Sequence, residues 1–101
     1  MKIGLTEREI NLINSVLCGF PEVHAALLFG SRAKNIHQAG SDVDLALQGI
    51  INLDVLAGVK ARLEALPLPY FFDVIDYQSV NNPDLKKHID SFGFVIYRAK
   101  S

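Results

Sequence analysis

A Gly-Ser pair at Gly30 and Ser31 ends an apolar run, and an Asp-X-Asp motif follows after ten intervening residues. Glycine can take backbone conformations closed to other residues, and Ser31 can cap a short helical turn. The free amides that begin such a turn attract anions, and Arg32 or Lys34 can add positive charge. The segment is predicted to bind phosphate; the alternative is an ordinary strand-to-helix turn.

The Asp-X-Asp motif consists of Asp42 and Asp44, which alternate with apolar residues in the manner of a strand. Their Cα atoms should lie about 6.5 Å apart, with both carboxylates on one face. Two close carboxylates repel each other, and a hard dication such as Mg²⁺ removes that penalty and also binds triphosphate oxygens. The pair predicts a nucleotide-metal site, against the alternative of a solvated strand edge.

A third acid is expected in the strand predicted over Tyr70 to Tyr77, which contains Asp73 and Asp76. These two side chains point to opposite faces, so strand parity allows either of them into the site but not both. Chemistry with two metal ions usually needs such a further acid. Parity alone leaves the choice open.

Helix-capping residues and the spacing of apolar residues predict the helices and strands that hold these side chains in place. Thr6 and Glu9 form a capping box for a first helix to about Gly19, and Val23 to Phe29 suits a central strand buried on both faces. The strand from Asp42 to Leu47 follows. A second helix after Asn52, a third over Leu85 to Phe92 with an Asn82 cap, and a last strand over Phe94 to Arg98 complete the order.

This order predicts an α/β (α+β) domain with a small sheet of about four strands flanked by helices. The loop between the first two strands is too short for a regular crossover, so that pair should be antiparallel and the sheet mixed. At 101 residues, the chain is expected to form one domain over residues 1–101, with no room for a separate acceptor domain.

Composition narrows the partners. A net charge of −1 makes long nucleic acid an improbable ligand, and no secretory signal or membrane-spanning run is present, so a cytoplasmic protein is expected. Cys18 is the only cysteine, which excludes an internal disulfide, and its expected role is helix packing. Histidines at 24, 37 and 88 have no ligand spacing; His88 is expected on a solvated helix face with Lys86 and Lys87.

The chain resembles the DNA polymerase β-like nucleotidyltransferase superfamily through Gly30-Ser31, Asp42-Val43-Asp44 and a later aspartate. It is most similar to the minimal nucleotidyltransferases (MNT) of that superfamily. The resemblance implies that Gly30 and Ser31, with Arg32 beside them, hold the triphosphate of ATP. It also implies that Asp42, Asp44 and Asp73 bind catalytic Mg²⁺, for which Mn²⁺ or another divalent ion can substitute, and it selects Asp73 over Asp76.

The resemblance further implies a reaction and a partner. The expected reaction transfers a nucleoside monophosphate, AMP from ATP, to a hydroxyl group, and the expected acceptor is a separately encoded, all-helical HEPN-type protein. Some such pairs resemble toxin-antitoxin modules in which the transferase adds AMP to the HEPN toxin, so the resemblance implies a protein adenylyltransferase. The alternatives are a non-catalytic nucleotide-binding module that neutralises its partner by contact, and a domain lost from a larger polymerase-like enzyme. Homo- and hetero-oligomers both remain open.

Overall fold

The computed structural model describes residues 5–30 and 42–99, which form helices on both faces of a four-stranded sheet. In chain order the elements are α1 (Glu7–Leu17), β1 (Val23–Phe29), β2 (Val43–Gly49), α2 (Leu53–Glu64), β3 (Phe72–Asp76), a 3-10 turn (Tyr77–Ser79), α3 (Pro83–Phe92) and β4 (Phe94–Arg98).

The strand order is β3-β2-β1-β4. β1 pairs antiparallel with both β2 and β4, whereas β2 and β3 are parallel and are connected through α2. A parallel pair needs such a crossover, because the chain must return to the same end of the sheet. The expectations of a mixed sheet, an antiparallel first pair and a central β1 are confirmed.

The helices begin where side-chain caps satisfy their first amides. The Thr6 hydroxyl accepts from the Glu9 amide at 3.1 Å, and the Thr6 amide donates to Glu9 Oε1 at 2.9 Å. Asn52 caps α2 and Asn82 caps α3, with Pro83 in the first turn. These boundaries follow the sequence because each cap replaces a hydrogen bond that the first helical turn lacks.

Four details differ from the expectations, and the first is that β2 spans Val43–Gly49 rather than Asp42 to Leu47. α1 ends at Leu17, two residues before Gly19. β3 is shorter than predicted because the Asp76 carboxylate accepts from the Gln78 amide at 3.1 Å and the Ser79 hydroxyl at 2.8 Å, which starts a turn. Cys18 is not a packing residue: it caps the end of α1, is exposed, and its thiol contacts the Ser15 carbonyl at 3.2 Å.

The two faces of the sheet have separate apolar clusters. The larger cluster packs α1 and α2 against one face and includes the buried side chains of Ile13, Leu17, Val43, Leu45, Leu47, Val59, Leu63 and Phe72. The smaller one joins α3 to the opposite face, where Ile89 packs with Phe29 and Ala46. Because side chains alternate along a strand, the face under α3 also carries Asp44 and Asp73.

None of the helices within residues 5–30 and 42–99 has the length and apolar character that crossing a bilayer requires.

Candidate functional site

The acidic residues meet at the end of the sheet where β1 stops and β2 and β3 begin. β1 and β2 are antiparallel, with Phe29 opposite Asp44, so the end of β1 lies beside the start of β2. β3 runs parallel to β2 and starts at the same end. Three segments distant in sequence therefore converge, and this convergence brings Gly30 together with Asp44 and Asp73.

Asp44 and Asp73 are register partners across the parallel pair. Strands in a sheet lie about 4.8 Å apart, and paired residues point to the same face, so the two carboxylates are neighbours. The Val43 amide donates to the Phe71 carbonyl at 2.9 Å, which continues the pairing towards Asp42. Asp76 lies at the far end of β3 and caps the 3-10 turn.

The electrostatics of Asp44 reflect this convergence. Asp44 is half-buried, and Asp42 and Asp73 are exposed. Burial, then the negative charge of Asp73, then that of Asp42, raise the pKa of Asp44 above its ordinary value of 3.8. All three effects oppose ionisation of this carboxyl, so a cation beside it would be attracted strongly.

Gly30 is required at this end of the sheet for two reasons. Its φ of +81° lies in the left-handed region, which side chains with a Cβ rarely adopt. A Cβ built at this position would also overlap the Asp44 Oδ2 atom. The absence of a side chain thus leaves the Asp44 carboxylate space that any other residue would fill.

The donor set suits a hard dication such as Mg²⁺, because Asp42, Asp44 and Asp73 all offer carboxylate oxygens. Within the described ranges, no three His, Cys, Asp or Glu side chains are grouped closely enough to hold a metal ion unaided. Mg²⁺ commonly uses one or two carboxylates and completes its shell with water and substrate phosphates. The residues therefore fit a metal ion that binds together with a nucleotide.

Ser31 and Arg32, the other residues predicted to bind nucleotide, lie outside the described residues, as do Lys34 and His37. Tyr77 lies four residues beyond Asp73, in the turn at the other end of β3. Its hydroxyl donates to Asp90 at 2.5 Å, and the Lys86 ammonium lies 4.9 Å from its ring centroid.

His88 is a residue of this region that the sequence did not indicate. The expectation of a solvated position is wrong: His88 is half-buried, and its Nε2 accepts a hydrogen bond from the Gly30 amide at 2.9 Å. The residues lie 58 positions apart, so no local spacing signals the contact. The sequence contained one indication of this position: His88 precedes Ile89, an apolar residue on the face of α3 that packs against the sheet.

A cavity of about 470 Å³ lies at the opposite end of the sheet, where β2 and β3 finish. Its lining is largely apolar and includes Ile51, Leu56 and Val74, with Asp76 at the edge. Asp44 and Asp73 lie near the starts of β2 and β3, whereas this cavity lies where the two strands end. The cavity is therefore separate from the site formed by the acids.

Several solved structures with a similar fold come from toxin-antitoxin complexes. One, solved with AMP-PNP, shares 19% identity over 95% of this chain and 76% of its own, with a TM-score of 0.71. An MntA-HepT complex shares 18% identity over 93% of this chain and 74% of its own, with a TM-score of 0.70. The structure of a tri-AMPylated Shewanella oneidensis HEPN toxin in complex with MNT antitoxin also matches. Its matching chain shares 18% identity over 94% of this chain and 74% of its own, with a TM-score of 0.70. At these identities the likeness is one of fold.

No curated protein matches the chain significantly. The family comparison is more informative, since residues 11–101 match the family described as "Polymerase beta, Nucleotidyltransferase". The match covers both strands that carry the acids, the Gly30 turn and α3. The chain belongs to the polymerase beta nucleotidyltransferase family.

Proposed function

We propose that this protein is a metal-dependent nucleotidyltransferase that moves AMP from ATP to a hydroxyl group of a HEPN-type partner protein, and thereby acts as an antitoxin. The observation that carries the proposal is the register of β2 and β3, which sets Asp44 beside Asp73 at the Gly30 turn. Packing alone does not require two acids side by side on the half-buried end of a sheet.

The proposed roles follow the chemistry of the side chains. Asp42, Asp44 and Asp73 would hold Mg²⁺, or Mn²⁺ in its place, and the bound ion would neutralise charge on the triphosphate oxygens. Gly30, Ser31 and Arg32 would hold the triphosphate, and the absence of a Gly30 side chain lets the Asp44 carboxylate lie against the Gly30 backbone. Catalysis would come mainly from positioning and charge stabilisation.

In the proposed reaction, the acceptor oxygen bonds to the α-phosphorus of ATP while the bond from that phosphorus to the leaving oxygen breaks. Pyrophosphate leaves, and AMP stays on the acceptor. Asp73 is exposed on the edge strand β3, where it can accept a hydrogen bond from the incoming hydroxyl. A hydroxyl oriented in this way is a better nucleophile, because its proton already has an acceptor.

The acceptor is proposed to be a protein because the acids are reachable from outside. Asp42 and Asp73 are both exposed, and within residues 5–30 and 42–99 β3 pairs with a strand on one side only. Several structures of similar fold support this class of partner, since they are toxin-antitoxin complexes and one contains a tri-AMPylated HEPN toxin. A side chain of such a partner can approach the edge of β3 directly.

The position of the label in ATP tests this reaction. The protein and a HEPN-type partner from the same genome are incubated with Mg²⁺ and ATP labelled on either the α- or the γ-phosphorus. Adenylyl transfer places the α label on the partner and releases the γ label in pyrophosphate. Transfer of the γ label would instead indicate a kinase and overturn the proposal.

Asp44→Asn separates catalysis from simple contact. This variant should form the complex but transfer no label, while Asp76→Asn, a matched change on β3 outside the cluster, should transfer normally. If Asp42→Ala,Asp44→Ala still neutralises the partner as fully as the wild type does, the protein acts by contact and the antitoxin part of the proposal fails.

A further inference from the structure

The imidazole of His88 contacts two aromatic rings. Phe29, the last residue of β1, meets it edge to face, with ring centroids 6.2 Å apart and planes at 73°. Phe92, one turn later in α3, also contacts the imidazole, with ring centroids 5.5 Å apart and planes at 37°. Aromatic contacts of this kind limit ring rotation, so the direction of Nε2 is set by packing.

That direction is towards the backbone of the Gly30 turn. The Gly30 amide donates to His88 Nε2 at 2.9 Å, so Nε2 is unprotonated and the ring proton is on Nδ1. Gly30 has no side chain to restrict its backbone, and glycine loses more conformational freedom on folding than any other residue. A hydrogen bond from α3 supplies a restraint that the glycine itself lacks.

The same contact determines what the Gly30 amide can do. A donor that is satisfied by His88 is not available to a phosphate oxygen, because one N-H group makes one good hydrogen bond. Gly30 can therefore serve the site through its shape, while its N-H group anchors the turn to α3. Phosphate would be bound by groups that follow Gly30 in the chain.

We propose that His88 is a positioning residue for the nucleotide site: it holds the Gly30 turn in its left-handed conformation, and the bond persists when nucleotide is bound. This inference rests on the proposed nucleotide chemistry but concerns a residue outside the Gly-Ser and aspartate motifs. It acts through Gly30, so its loss should weaken nucleotide binding more than it slows the transfer step.

Two substitutions test the role of His88 Nε2 as a hydrogen-bond acceptor. His88→Phe keeps an aromatic ring that can contact Phe29 and Phe92 but removes the hydrogen-bond acceptor. Loss of one hydrogen bond should weaken the affinity for Mg²⁺ and α,β-methylene ATP about three- to tenfold, raise KM for ATP similarly, and leave kcat close to the wild-type value. His88→Gln offers a side-chain oxygen at a similar reach and should restore affinity to within about twofold of the wild type.

NMR spectroscopy of the wild type tests the contact without any substitution. Long-range ¹⁵N-¹H correlations should show the Nδ1-H tautomer of His88 both before and after Mg²⁺ and α,β-methylene ATP are added, and the Gly30 amide should keep its hydrogen-bonded shift. A change of tautomer or a large shift of that amide on nucleotide binding would overturn the proposal, even if His88→Phe did not fold.

The outcomes separate this inference from the proposed function. Equal nucleotide affinity in folded His88→Phe and the wild type, together with AMP transfer by the wild type, contradicts the positioning role alone. Weaker affinity in His88→Phe with recovery in His88→Gln, but no transfer by the wild type, supports the positioning role and contradicts the proposed reaction. A wild type that binds no nucleotide overturns both.

Discussion

Asp44 and Asp73 stand side by side on the parallel strands β2 and β3, although 29 positions separate them in the chain, as the numbering of the sequence shows. The pairing is produced by the crossover through α2, which returns the chain to the same end of the sheet. Two like charges in this arrangement are costly to the metal-free protein. The arrangement is useful where a cation and a polyphosphate bind.

Removal of one carboxylate of the pair should abolish transfer without loss of the fold. We predict that Asp73→Asn lowers AMP transfer on the order of 100-fold or more, because it removes charge stabilisation at the reacting phosphate. Asp76→Asn is the control, since Asn retains a capping oxygen for the 3-10 turn. Rates from labelled ATP decide the matter, and comparable activity in both variants would exclude Asp73 from the site.

Asp44→Asn should stabilise the metal-free protein at neutral pH. Burial and the charges of Asp73 and Asp42 raise the pKa of Asp44, so the folded state favours the protonated carboxyl. The protonated Asp44 carboxyl contributes to stability when the pH is below 3.8, its pKa in the unfolded chain. This contribution is lost as the pH rises through the raised pKa of the folded state. We predict a higher Tm for Asp44→Asn than for wild type at pH 7 in EDTA.

The pH dependence supplies the check on that result. The advantage of Asp44→Asn should shrink as the pH falls towards 3.8, because the wild-type carboxyl then carries its proton. Addition of Mg²⁺ and nucleotide should raise the Tm of the wild type and have little effect on the variant. A lower Tm for the metal-free variant at pH 7 would show that Asp44 is stabilising as a charge.

Gly30→Ala should harm both stability and nucleotide binding. A Cβ in the left-handed region costs about 1 to 2 kcal/mol, and here it would also press on the Asp44 carboxylate. We expect a loss of about 2 kcal/mol in the free energy of unfolding, measured with urea. Gly19→Ala, at an exposed turn after α1, should change it by about 0.5 kcal/mol at most. Equal losses would contradict the role of Gly30.

The packing of α3 under the site can be measured with Ile89. This side chain is 1% exposed and packs against Phe29 and Ala46. We predict that Ile89→Ala lowers the free energy of unfolding by about 2 to 4 kcal/mol, because it leaves a cavity in the smaller core. Leu53→Ala, at a side chain that is 82% exposed, should have an effect of about 0.5 kcal/mol. Similar values for both would mean that α3 is not docked as described.

Much of the fold was predictable because its signals are local. Caps at Thr6, Asn52 and Asn82 mark helix starts, and the bounds of β1 and β4 agree with those predicted from apolar runs. The alternation of side chains likewise limited the third acid to Asp73 or Asp76. The choice between them required the resemblance, since alternation gives the spacing within a strand but not which face a neighbouring strand presents.

The contacts between distant segments could not be predicted in this way. The bond from Gly30 to His88 depends on where α3 lies over the sheet, and no periodicity encodes that position. The early end of β3 was missed for a different reason, because Asp76 can cap a turn or continue a strand and its hydrogen bonds decide between them. Side chains that compete with the backbone blur such boundaries.

The proposed transfer of AMP is tested most directly by the intact mass of the HEPN-type partner after incubation with this protein and Mg²⁺-ATP. We predict that the partner gains the mass of one or more AMP residues with the wild-type protein, and gains none with Asp44→Asn or without Mg²⁺. An unchanged partner mass in the presence of an intact, nucleotide-bound complex would contradict it.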